Sequence, residues 1–167
     1  MIGGIDSMIE IRRVHDVSLK LDVKTLRQVH LKSTSFHRCL LNNLDFSSSS
    51  LIDIDFRSAE MSNSKFFASV FDKSKLIMVE ARNSNYDKCS FKESLLLHSD
   101  FSGSSFKFAN FSESVINDVV FANCDLRGAD FSCVGLETCV LVGALYDEST
   151  KWNENFNALE HGAIKDE

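Results

Sequence analysis

The chain has 167 residues, 44% hydrophobic and 25% charged, with a net charge of −6. That length and balance fit one packed domain and exclude wholesale disorder, a collagen-like repeat and a disulfide-stapled miniprotein. There is no proline, and 14 Phe stand against 2 Tyr and 1 Trp, a bias that asks for an architecture with one recurring aromatic site.

The charge is spread unevenly. Residues 1–30 hold five Lys/Arg against four Asp/Glu, residues 31–145 eleven against fourteen, and residues 146–167 two against six. A nucleic-acid footprint needs clustered Lys/Arg and a basic balance, so direct nucleic-acid binding is not expected. No apolar run approaches the ~18 residues that cross a bilayer. Met1-Ile2-Gly3-Gly4-Ile5-Asp6 lacks the basic and apolar regions of an export signal, so the expected location is the cytoplasm, without membrane attachment. The five cysteines, Cys39, Cys89, Cys124, Cys133 and Cys139, include no CxxC pair and read as reduced thiols rather than a zinc or redox motif.

In chain order, Ile9-Glu10-Ile11 and Val17 to Val23 alternate apolar and polar residues and predict two strands. Residues 1–30 are expected to form an N-terminal cap leading into a first coil near Leu26 or Leu31. From Phe36 to Leu141 every fifth residue is large and apolar, with Ala81 the exception, and eleven of the 14 Phe fall on this register. Ten of them, Phe46, Phe56, Phe66, Phe71, Phe91, Phe101, Phe106, Phe111, Phe121 and Phe131, are the expected structural core. Two residues earlier runs a register of small side chains from Thr34 to Ala144, broken only by Leu44 and Ile54.

A step of five turns an α-helix through ~500°, which scatters the apolar residues around it. On a straight strand the same odd step places successive Phe on opposite faces. The remaining solution is an extended pair, small and large residue pointing the same way, followed by a three-residue corner. The chain must therefore wind as a coil. Cys39, Cys89, Cys124 and Cys139 fall on the small register and read as buried packing residues. Cys133 falls on an outward register and is expected to be an accessible thiol, while Val134 is expected to point inward.

Ala129-Asp130-Phe131, Cys124-Asp125-Leu126, Ser99-Asp100-Phe101 and Ala109-Asn110-Phe111 resemble the A(D/N)LXX motif of the bacterial pentapeptide-repeat family. The resemblance implies an all-β fold, a right-handed quadrilateral parallel β-helix with four pentapeptides in each 20-residue coil. Residues 31–145 would supply about five to six coils, a rod of roughly 25–30 Å at ~4.8 Å per coil. Residues 146–167 leave the repeat and are expected to cap it, with Trp152 and Phe156 over the last coil.

A filled interior leaves no sheltered pocket, and neither catalytic, metal-binding nor cofactor-binding residues are expected. His15, His30, His37, His98 and His161 keep no metal-ligand spacing. Grouping outward residues by 20 gathers Ile77, Met78, Leu95, Leu97 and Val115 on one face, a candidate site for an unknown protein partner or for self-association. Asn43, Asn63, Asn83, Gly103, Asn123 and Gly143 repeat at one corner and read as turn residues. The expected function is a non-enzymatic interaction or scaffold module. The alternative implied by the family is a DNA-mimic modulator of DNA gyrase or topoisomerase. Duplex DNA of the rod's length carries roughly 16 phosphates, whereas residues 31–145 net only −3.

Overall fold

The structure, a computed structural model, describes residues 8–166; the Met1–Asp6 segment read above for an export signal lies outside the described residues. The chain winds as a quadrilateral parallel β-helix. Residues 20 apart pair in four parallel ladders, for instance His30, Ser50, Val70, Ser90, Asn110 and Asp130, and Asp45, Lys65, Asn85, Ser105, Asp125 and Leu145. Among the described residues the only helical segment is a 3-10 turn at Leu136–Thr138.

The corner after each core Phe from Phe36 to Phe121 is closed by a turn hydrogen bond, as where the Cys39 amide donates to the Phe36 carbonyl at 3.0 Å with Arg38 between them at φ 56°; among the described residues the corners after Leu51, Leu76, Leu96 and Ile116 lack that bond. Every fifth residue from Ser33 to Gly128 has a positive φ, between 50° and 71°. The left-handed conformation is therefore a property of all four corners, not of the Asn/Gly corner alone. Glycine is needed only where a neighbour intrudes. A Cβ on Gly103 would meet the Asn83 amide oxygen at 2.5 Å, and one on Gly143 the Asn123 oxygen at 2.4 Å. The Asp or Asn before each central residue has a matching task. Its side-chain oxygen accepts the amide two residues on, as in Asp100 to Ser102, Asn110 to Ser112 and Asp130 to Ser132, which fastens the chain as it rounds the corner.

Inside, all ten core phenylalanines named above are fully buried. Phe71, Phe91, Phe111 and Phe131 stack with centroids 4.9, 4.8 and 4.7 Å apart, the strand spacing itself. Phe46, Phe66, Tyr86 and Phe106 form a second column. The small register is polar yet satisfied. The Ser69 hydroxyl donates to the Phe46 carbonyl at 2.7 Å and accepts the Ser49 amide at 3.0 Å, and Ser74, Ser84, Ser99 and Ser104 repeat the pattern. Cys89 and Cys124 point their thiols at the equivalent carbonyls of Phe66 and Phe101. Tyr86 is the exception, its buried hydroxyl having no hydrogen-bond partner among the described residues.

Two readings are corrected near the end of the rod. Cys133 is buried, 3% exposed, and Val134 is 59% exposed. After Phe131 the turn is one residue shorter, with the Cys133 amide donating to the Phe131 carbonyl at 2.7 Å. Cys133 therefore takes the inward small site, and Val134 pairs with Val115 only 19 residues back. The residue recovered at Gly135, φ 92°, restores the 20-residue spacing at Val120 and Val140.

Each end carries a segment that departs from the repeat and packs on the terminal coil. The hairpin of β1 (Met8–Arg13) and β2 (Asp16–Asp22) lays Arg12–Val14 antiparallel along Arg38–Leu40. At the other end Trp152 stacks on Phe131 at 5.0 Å and Phe156 on Trp152 at 5.3 Å.

Replacing Phe91 by Ala empties the middle of a ring column and is expected to cost about 3–5 kcal/mol. Ser69→Ala removes the hydroxyl that bridges the buried Ser49 amide and Phe46 carbonyl, leaving them only their direct 3.2 Å bond, and is expected to cost about 1 kcal/mol, whereas Tyr86→Phe removes an unsatisfied hydroxyl and is expected to be neutral or stabilising. Urea unfolding of the three variants checks the order; a Tyr86→Phe penalty as large as that of Ser69→Ala contradicts it.

Candidate interaction face

Three of the three-residue strands of the coils lie side by side in one sheet: β3 (Lys75–Ile77), β4 (Leu95–Leu97) and β5 (Val115–Asn117); His30–Lys32 and Ser50–Ile52 pair in another. Their central residues, Leu76, Leu96 and Ile116, point inward, so the flanking residues must face out. The register puts Leu95 beside Val115 and Ile77 beside Leu97. The structure thus brings four of the sequence-derived residues into two adjacent columns, each half-buried by its neighbours, and Met78 stands at the adjoining corner 59% exposed.

The first column continues through Val134, which the bulge turns outward. Sequence spacing alone assigned Val134 to the interior, since nothing in a strict count of five announces a shortened turn. Around the next corner, Val140 and Val142 are also exposed, 42% and 60%, and a count of 20 from Val120 and Ala122 does locate them. Earlier members of these columns are largely charged: Asp55 and Lys75 follow Ser35 and precede Leu95, and Glu60, Glu80 and Asp100 follow Leu40 and precede Val120.

Elsewhere the surface offers little chemistry. Among the described residues no three His, Cys, Asp or Glu side chains gather to hold a metal ion. A shallow cleft at the C-terminal end is lined by Arg127, Asp147, Glu148, Ser149, Lys165 and Asp166, and its charges satisfy one another. Arg127 bonds Asp125 and Asp166 at 2.6 Å, and Lys165 reaches Glu148 at 3.4 Å. The Arg127 hydrogen bonds hold the Asp125 carboxyl below its usual range, as Arg57 does for Asp55. His98 lies 3.3 Å from Asp118 on the exposed surface. Burial pushes the Cys124 and Cys133 thiols up to about 12 and Cys139 to about 11, which suppresses the thiolate needed for nucleophilic attack or metal binding.

The pentapeptide-repeat family model matches residues 104–143 in eight copies. The same five-residue register extends back to Phe36 in the structure, so the chain carries pentapeptide repeats well beyond the matched segment. A pentapeptide repeat protein from the Arabidopsis thaliana thylakoid lumen shares the fold, with a TM-score of 0.57 and 23% identity over 61% of this chain and 71% of that one. A pentapeptide repeat protein from Nostoc PCC 7120 aligns at 20% identity over 67% and 84%, with a TM-score of 0.37. QnrB1, a plasmid-mediated fluoroquinolone resistance protein, aligns at 16% over 75% and 78%, with a TM-score of 0.35. No curated protein matches the chain.

The thiols give a direct test of the buried register. At pH 8 the native protein is expected to react with a thiol reagent only as fast as it unfolds, with all five cysteines titrating in denaturant. Rapid labelling of Cys133 in the native protein would contradict its inward placement.

Proposed function

We propose that this chain is a non-enzymatic interaction module that presents the apolar face of Ile77, Leu95, Leu97 and Val115, with Met78 at its corner, to a protein partner or a second copy. Pentapeptide-repeat proteins are generally non-enzymatic, and the interior in which a pocket would have to form is filled by stacked rings. The single observation that carries the reading is the side-by-side placement of Leu95 with Val115 and Ile77 with Leu97 on an outward, flat three-stranded surface. Contiguous apolar area of that kind on a soluble rod marks an interaction site. Five unpaired, buried thiols favour the cytoplasm as the working location, and among the described residues no helix is long and apolar enough to cross a membrane.

The family also suggests a DNA-mimic modulator of gyrase or topoisomerase. Against it, Lys65, Lys73, Lys75, Arg82, Lys88 and Lys92 are all exposed and interrupt any acidic stripe that would imitate a phosphate backbone. On the interaction reading, the purified protein leaves gyrase supercoiling unchanged at micromolar concentration; salt-sensitive inhibition would favour mimicry instead.

Leu97→Asp places a charge in the middle of the apolar face without touching the core. Affinity capture from the native cell, paired with light scattering, is expected to show loss of a bound protein or a smaller assembly relative to wild type, with the unfolding midpoint retained. Unchanged partners and unchanged mass would remove this face from consideration.

A further inference from the structure

Eleven of the 14 Phe line the core and Phe156 closes the C-terminal end, which leaves Phe67 and Phe108. These two are 42% and 59% exposed, and both stand on the corner that follows Phe66, Tyr86 and Phe106, two coils apart. On the coil between them Lys88 holds its ammonium 5.6 Å from the centroid of the Phe67 ring, within the range of a cation–π contact. Phe108 takes the left-handed φ, 57°, that is common to these corners. Its ring lies over Gly128, where an added Cβ would come within 2.5 Å of it. What sets this corner apart is a large ring with a glycine beneath it and most of the ring left in water. Core stability does not account for that arrangement.

The charges at this corner leave more cation than anion free. Asp87 accepts the Lys107 amide and the Ser105 hydroxyl through Oδ1 alone and has no cation within ion-pair distance among the described residues, while both oxygens of Asp125 are taken by Arg127. Among the described residues neither Lys88 nor Lys65, exposed just before the Phe66 corner, has a carboxylate within ion-pair distance. On a chain of net charge −6 the corner therefore offers two aromatic rings and two unpaired ammonium groups against one unpaired carboxylate, Asp87. Met78 and Lys88 are ten residues apart, half a coil, so this corner lies across the rod from the apolar face.

We propose that the Phe67–Lys88–Phe108 corner is a second docking edge, complementary to an acidic protein segment that carries aromatic side chains. The partner's carboxylates meet Lys88 and Lys65, and its rings pack on Phe67 and Phe108. The proposal does not depend on the apolar face, so either surface can fail without the other.

Fluorescence anisotropy tests it with four dye-labelled probes: decamers of alternating Glu and Trp, Lys and Trp, and Glu and Gly, and a ten-nucleotide oligo-dT. The Glu–Trp decamer is expected to bind about tenfold or more tighter than the other three, a difference of about 1.4 kcal/mol. The double variant Phe108→Ser with Lys88→Glu is expected to lose at least about fivefold of that affinity with an unchanged unfolding midpoint, and Phe67→Ser supplies the same comparison should the double variant misfold. Equal binding by wild type and variants, or no saturation at millimolar protein, overturns the proposal; tighter binding of oligo-dT overturns it in favour of a single-stranded nucleic-acid partner.

Discussion

The spacing between coils governs the structure. Backbone hydrogen bonds fix neighbouring strands at ~4.8 Å, and that distance also suits parallel aromatic rings in contact. Once residues 20 apart are stacked, a Phe at one central site calls for a flat apolar residue at the next, and the columns through Phe71 and Phe66 follow. A bulky residue two places earlier would collide with those rings, hence the small register. The corners then have to absorb a left-handed residue every five positions. The chain accepts that strain because the ladders and the rings on either side leave the corner no alternative.

A narrow interior also raises the question of how serines survive there. They do so because each hydroxyl replaces a water molecule the rod has no room for, joining an amide one coil back to a carbonyl at the preceding corner. Cysteine fits the same site because its thiol reaches the same carbonyl, and the apolar surroundings hold it protonated. The two buried polar atoms of the aromatic columns that lack such a partner, the Tyr86 hydroxyl and the Trp152 indole nitrogen, lie where a ring has been chosen for its stacking area rather than its polar tip.

Most of this architecture was legible in the sequence because the beat of five is incompatible with any straight element, and Phe91 or Phe111 has nowhere to go but inward. The apolar columns of Leu95 with Val115 and Ile77 with Leu97 follow from the same count once four repeats close a coil. What the count does not contain is a change in its own phase. The shortened turn after Phe131 exchanges the roles of Cys133 and Val134, and its one trace in the sequence is Gly135, the single glycine at the position before a central residue, which marks an unusual backbone there without stating which residue turns inward. Nor does composition reveal that left-handed corners accept Met78, Lys88 or Phe108. Asn and Gly draw attention to one corner, yet the backbone is the same at all four. The Phe67 and Phe108 pair was present in the sequence as the residue of the aromatic accounting, the rings left over after the core and cap were filled.

A rod of this kind contributes surface rather than chemistry. Its four faces are held rigid, and their side chains repeat at fixed intervals, so a partner can be matched by a column of residues drawn from distant parts of the chain. The central claim, that residues 20 apart are nearest neighbours along one axis, is tested most directly by electron–electron distance measurement between spin labels at Ser62 and, in turn, Ser102, Ala122 and Val142. The structure predicts separations that increase by about 4.8 Å for every 20 residues. Distances that fail to grow in equal steps, or that grow several times faster, would contradict the coil.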